Sequence, residues 1–159
     1  MLKSAIKTIG AVALCVALSL LTNALVANAQ SNEIADLAAR INNERIARGL
    51  SPYALNAQLT SAAQAHASDL ARSGQIPTSQ GGHIGSDGST LRDRVARTGY
   101  GAYSWGYRLG ENWAYHHNVA SAFAWWMNSG PHRDNLLHTR YREIGIGVAQ
   151  STLGGYFYI

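Results

Sequence analysis

Three polar residues carry the chemistry this sequence could do: His83, Glu111 and His132. Each stands beside glycine, in Gly81-Gly82-His83, Gly110-Glu111-Asn112 and Gly130-Pro131-His132. Polar side chains on glycine-bounded loops serve function more often than those inside helices. Two imidazoles and a carboxylate form a ligand set for a zinc ion with an open fourth position. The chain has no His-Glu-x-x-His motif and no ligand pair one helical turn apart, so spacing alone does not mark a metal site. His66 falls on an apolar helix face beside Ala63 and Leu70 and reads as a core histidine with its ring nitrogens satisfied. His116-His117 and His138 sit in polar surroundings without a ligand pattern.

Other chemistries find less support. No Gly-x-Ser-x-Gly elbow is present. The one cysteine, Cys15, and the only lysines, Lys3 and Lys7, all precede residue 30. The rest of the chain therefore has no thiol nucleophile, no disulfide and no lysine for a phosphate-cradling loop.

The elements that must position these residues follow from periodicity and caps. Ile34, Leu37, Ala38 and Ile41 predict a first helix over Glu33–Arg48. Asn56 caps a second helix running to about Ser73, with Leu59, Ala63, His66 and Leu70 inward. Residues 74–89 read as a long Gly/Ser/Thr-rich loop. Ser89 or Thr90 caps a third helix to about Thr98, and Gly99–Gly110 reads as irregular. Asn118 caps a fourth helix through Asn128, which Gly130-Pro131 stops. Ile144, Ile146 and Val148 alternate and begin a strand, Gly154-Gly155 turns it, and Tyr156–Ile159 returns.

The 14 aromatic residues are unevenly placed, with only Tyr53 before residue 100. Phe123 and Trp126 share one face of the fourth helix and read as core. Tyr103, Trp105, Tyr107, Trp113 and Tyr115 read either as sheet-layer core or as an aromatic-lined groove.

Residues 1–29 read as a secretory signal peptide. Lys3 and Lys7 form its charged start, Ile9–Leu21 its apolar run and Ala27-Asn28-Ala29 its cleavage site, giving a mature start at Gln30. The run is short for a membrane span; an uncleaved N-terminal anchor is the lesser reading, and no span is expected after cleavage. The formal charge of +4 includes both lysines, leaving 11 arginines against 9 acids. With no basic run besides, nucleic acid is excluded as a partner. The expected location is secreted, either extracellular or periplasmic.

At these loops the sequence resembles the CAP superfamily of cysteine-rich secretory proteins, antigen 5 and pathogenesis-related-1, in its bacterial, cysteine-free form. The matching stretches are LTSAAQAHASDLA at 59–71, GGHIGSDGSTLRDRV at 81–95, GY at 99–100, GENWA at 110–114, AWWMNSGPHRDNLL at 124–137 and YREIGIGVA at 141–149. They follow the family's order across nearly all of residues 30–159. The resemblance implies an α/β fold: a three-layer α/β/α sandwich with a central antiparallel sheet and a cleft on one side.

In the family that cleft holds two histidines and two glutamates. The first histidine matches His83, the first glutamate Glu111 and the second histidine His132. The second glutamate should fall three residues after Trp126, where Ser129 stands, as it often does in bacterial members. The implied cleft is thus His83, Glu111, Ser129 and His132. The implied ligands for Zn²⁺ are His83, Glu111 and His132, one acid short of the full tetrad. The family's last strand usually runs several residues past the Tyr-x-Tyr region, and Ile159 is the last residue here.

Three functions follow as expectations. The first is a secreted, non-enzymatic module that binds an extracellular ligand: a sterol or other lipid, a metal ion, or a component of the cell surface or envelope. The second is a metal-dependent hydrolase or peptidase, with His83 and His132 holding Zn²⁺ and Glu111 as ligand or general base. The third is a polar network that fixes loop positions without chemistry.

Overall fold

The structure, a computed structural model, describes residues 28–101 and 107–159. Most of the expected signal peptide lies outside the described residues, as do Tyr103 and Trp105. The chain forms two compact units, Met1–Asn32 and Glu33–Ile159. Of the first, only 28–32 are described, and they are helical.

A helix, α1, covers residues 28–47, starting earlier than the Glu33 expected from its apolar stripe. Leu37, Ile41 and Arg45 recur at four-residue spacing and are all at most 2% exposed. The buried Arg45 is satisfied by the carbonyls of Ser51, Leu136 and His138, and its guanidinium lies 3.5 Å from the centre of the Tyr53 ring.

The strand β1 (Ala54–Leu55) leads into α2 (Ala57–Arg72). Asn56 caps α2 as expected, its side chain accepting from the amides of Gln58 and Leu59. The inner face of α2 is built from small residues, Ala62, Ala63, Ala67 and Ala71. Small side chains let a backbone come close. Gly145 lies against the backbone of Leu59 and Thr60, and Gly147 against that of Ala63.

A short 3₁₀ turn, Gly81–His83, interrupts the long loop. Thr90 and Asp93 then form a reciprocal capping box at the start of α3 (Leu91–Ala96), which ends earlier than expected. Beyond it come β2 (Ala114–His116), α4 (Val119–Asn128), α5 (Gly130–Leu136), β3 (Glu143–Ile144), β4 (Val148–Gln150) and β5 (Tyr156–Tyr158).

Gly130-Pro131 does not simply stop a helix; it opens α5, because proline's fixed φ suits the first helical turn. The run from Ile144 to Val148 is not one strand. Its two glycines press on α2, which separates β3 from β4.

The strands β2, β5 and β4 form an antiparallel sheet in that order. Ala114 and Val148 pair with Tyr158, while Tyr115 and Ala149 pair with Phe157. Side chains alternate across a sheet. Ala114, Val148 and Tyr158 join Leu37, Ile41, Ala122 and Trp126 in one core. Ala149 and Phe157 join Ala63, Ala67 and Leu70 of α2 in another, with Trp113 and Tyr115 packed against it. The fold is therefore mixed α/β with an antiparallel sheet, as expected. It departs from a single central antiparallel sheet in one respect: β1 and β3 form a separate parallel pair.

Candidate functional site

His83 and Glu111 meet. His83 ends the 3₁₀ turn, and Glu111 lies in the irregular segment before β2. Nδ1 of His83 stands 2.9 Å from Oε1 of Glu111. The other carboxylate oxygen accepts from Arg94 Nη2 at 2.7 Å. The side chains of Arg94 and Glu111 are each 6% exposed, whereas that of His83 is 35% exposed. Burial pushes the Glu111 carboxyl up, but the His83 hydrogen bond and the Arg94 charge outweigh it and hold the group below the usual range.

Arg94 does more than pair with Glu111. Its Nη1 donates to the carbonyls of Ser89 at 2.8 Å and His83 at 3.2 Å. One guanidinium thus ties the loop after His83 to the carboxylate. Arg94 and Val95 are the buried residues of α3.

His132 and Ser129 form a second pair, with Nδ1 2.7 Å from Oγ. Ser129 begins α5 without capping it, because its hydroxyl is engaged by the imidazole. Asn112 donates to the His132 carbonyl at 2.9 Å, and Asn135 donates to Asn112 Oδ1 at 3.0 Å and to the Glu111 carbonyl at 3.3 Å. These amides hold α5 to the segment that carries Glu111. Burial lowers the His132 pKa, and the nearby His83 lowers it further. The Trp125 ring, 44% exposed, lies 4.6 Å from the His132 ring between centres.

His66 is buried as expected, at 1% exposure. Only one ring nitrogen is satisfied, however: Nε2 lies 2.8 Å from the Gly82 carbonyl, and Nδ1 has no partner. His116 is half-buried 6.0 Å from Trp125, His117 is exposed, and His138 stacks on Tyr141.

A cavity of about 520 Å³ is lined in part by Arg94, Glu111 and Asn112. Leu59, Ala62, Leu91, Val95 and Ile146 supply apolar walls; Arg108, Arg142 and Glu143 supply charge. Tyr53, Tyr100, Tyr107, Trp126 and Tyr141 also line it. Tyr107 stands edge-on to Tyr100, but Trp113 and Tyr115 pack on Phe157, because strand alternation turns Tyr115 toward α2. Of the two readings, Trp113 and Tyr115 follow the sheet-layer core, while Tyr103 and Trp105 lie outside the described residues.

The donors around His83 and His132 are already engaged by the protein's own side chains. Both Glu111 oxygens are taken, by His83 and Arg94, and Nδ1 of His132 is taken by Ser129. What remains is the Nε2 edge of each imidazole, fewer than the three protein ligands of an open zinc site. Among the described residues no three His, Cys, Asp or Glu side chains form a metal-holding group. As folded, the site does not fit the three-ligand ion.

A family model described as the cysteine-rich secretory protein family, CAP, matches residues 38–159. Among solved structures, the chain is similar to an extracellular protein containing an SCP domain from Bacillus anthracis, at 26% identity and a TM-score of 0.63. That match covers 81% of this chain and 40% of the other, so the chain spans well under half of that relative. An outer surface protein from Borrelia burgdorferi matches at 20% identity and a TM-score of 0.65, over 80% of this chain and 88% of that one. A cysteine-rich secretory protein from Staphylococcus aureus matches at 24% identity and a TM-score of 0.59, over 81% of this chain and 38% of that one. The last two likenesses bear on the fold alone. No curated protein matches the chain.

Proposed function

Because the chain belongs to the cysteine-rich secretory protein family, we propose that it is a secreted, non-enzymatic binding module that takes a lipid-like ligand into the cavity beside Glu111. The observation that carries this reading is the cavity itself. Its volume of about 520 Å³ falls within the roughly 300–1,000 Å³ of small-molecule sites. Apolar walls with a few charged groups suit a sterol or another lipid with a polar end.

The state of Glu111 weighs against the hydrolase alternative. A carboxylate paired with a buried guanidinium and held below its usual pKa is a poor proton acceptor. Secretion is supported by the expected export segment and by similarity to a protein described as extracellular. No helix of the described residues is long and apolar enough to cross a membrane. Mass spectrometry of the exported protein should find Gln30 at its start; a secreted form that keeps Lys3 would overturn the cleavage reading.

Ligand uptake is tested by displacement of a fluorescent fatty acid from the purified protein. The wild type should take up the probe. Leu91→Trp, which fills the cavity from a half-buried wall position, should lose uptake while keeping its circular dichroism. Equal uptake by the two proteins would move the ligand elsewhere.

A further inference from the structure

We propose that Arg94 is a built-in cation that keeps metal ions off Glu111, so that Glu111 serves as a positioning residue for His83 rather than as a metal ligand. Three oxygens converge on the Arg94 guanidinium: Glu111 Oε2 at 2.7 Å, the Ser89 carbonyl at 2.8 Å and the His83 carbonyl at 3.2 Å. A carboxylate and two backbone carbonyls are the kind of oxygen set that a hard divalent cation takes. Here a side chain of the same chain fills that role.

The charge balance points the same way. Arg94 and Glu111 are both 6% exposed at the side chain, so each has lost most of its hydration and depends on the other. A metal ion that took Glu111 would have to displace the guanidinium and leave a buried arginine unpaired, which is strongly unfavourable. It would also displace the His83 ring from Oε1. Two further bonds explain why the arrangement persists: Arg94 also holds the loop through the Ser89 and His83 carbonyls, so its release would undo that loop.

The positioning role follows from hydrogen-bond chemistry. An ionised carboxylate only accepts, so Nδ1 of His83 carries the hydrogen. Glu111 therefore sets both the rotamer and the tautomer of His83, and Arg94 fixes Glu111. This inference does not depend on what the neighbouring cavity binds.

The test titrates Zn²⁺ alone into the purified wild-type protein and into Arg94→Met, which keeps length and apolar bulk but removes the cation. Freeing a carboxylate beside an imidazole should tighten Zn²⁺ binding by about tenfold or more, the scale on which carboxylate partners change metal affinity. A folded Arg94→Met that binds Zn²⁺ no better than wild type overturns the proposal. A second measurement stands independently of how that variant folds. In the wild type, the ¹³C signal of the Glu111 carboxylate should stay in place throughout the Zn²⁺ titration, whether or not histidine signals move. A Glu111 signal that shifts in step with added Zn²⁺ shows the carboxylate ligating, and the proposal fails.

Discussion

Nδ1 of His83 lies 2.9 Å from Oε1 of Glu111, although 28 positions separate the two residues in the chain. The contact gives the neutral imidazole one defined form, with its hydrogen on Nδ1 and its lone pair on Nε2. The half-exposed side of the ring is therefore an acceptor.

Replacing Glu111 by Gln should reverse that form. Arg94 can only donate, so it claims the amide oxygen, and the amide nitrogen is turned toward His83. The ring must then accept at Nδ1 and carry its hydrogen on Nε2. Nitrogen-15 shifts of His83 read the tautomer directly. A ring that keeps its hydrogen on Nδ1 in Glu111→Gln would count against Arg94 as the dominant partner.

His66 should make stability depend on pH. Its Nε2 donates to the Gly82 carbonyl, so Nδ1 is a buried lone pair without a donor. Burial lowers its pKa most; of the weaker influences, the Gly82 bond and the Glu111 and Asp69 charges raise it and Arg94 lowers it. A depressed folded pKa means that the unfolded chain binds the proton first. Stability is thus full above the unfolded value of about 6.5 and falls as pH drops below it, by at most about 1.4 kcal/mol per pH unit for one proton. His116 and His132, also lowered by burial, add with the same sign. Urea midpoints at about pH 7.5 and about pH 5.5 bracket that window and measure the loss. His66→Gln should show a shallower fall; an equally steep one would assign the effect to other groups.

Gly147→Ala should be severely destabilising. The added Cβ meets the backbone of Ala63, which cannot swing aside as a flexible side chain could. Forcing α2 from the sheet costs about 1–3 kcal/mol or more. Thermal unfolding measures it, and a melting temperature within error of wild type would show that the close approach is not required.

Phe157→Ala should cost about 3–5 kcal/mol, the range for a fully buried ring. Phe157 is 0% exposed and packs on Tyr115 at 5.2 Å and Trp113 at 6.4 Å between ring centres. Denaturant unfolding should show a lower midpoint at an unchanged slope.

Asn56→Ala should remove two contributions together. The cap is worth about 0.5–2 kcal/mol, and the same side chain donates to Glu143 Oε1 at 2.8 Å, joining α2 to β3. Asn56→Asp keeps the cap but places an acid beside Glu143. It should therefore recover only part of the loss in the same unfolding measurement.

The parts legible in the sequence are those that neighbours in the chain decide. Asn56, Thr90 and Asn118 mark helix starts because a cap bonds to amides two or three residues on. Leu37 and Ile41 mark an inward face because four residues complete about one turn. His83, Glu111, Ser129 and His132 could be named from their motifs as candidates, and they meet as two pairs, His83 with Glu111 and His132 with Ser129. Their other partners could not be named so. Arg94 reads locally as one more inward residue of a short helix, and only packing brings it to a carboxylate 17 positions away. Arg45 likewise finds the Leu136 carbonyl 91 positions on. The strands β1 and β3 have two residues each, too few to show an alternation, and exist because their two segments meet. Caps and periodicity are short-range and additive, so sequence alone determines them. Which buried charge meets which, and so whether Glu111 is free or paired, depends on contacts that form only when distant segments close around a shared core.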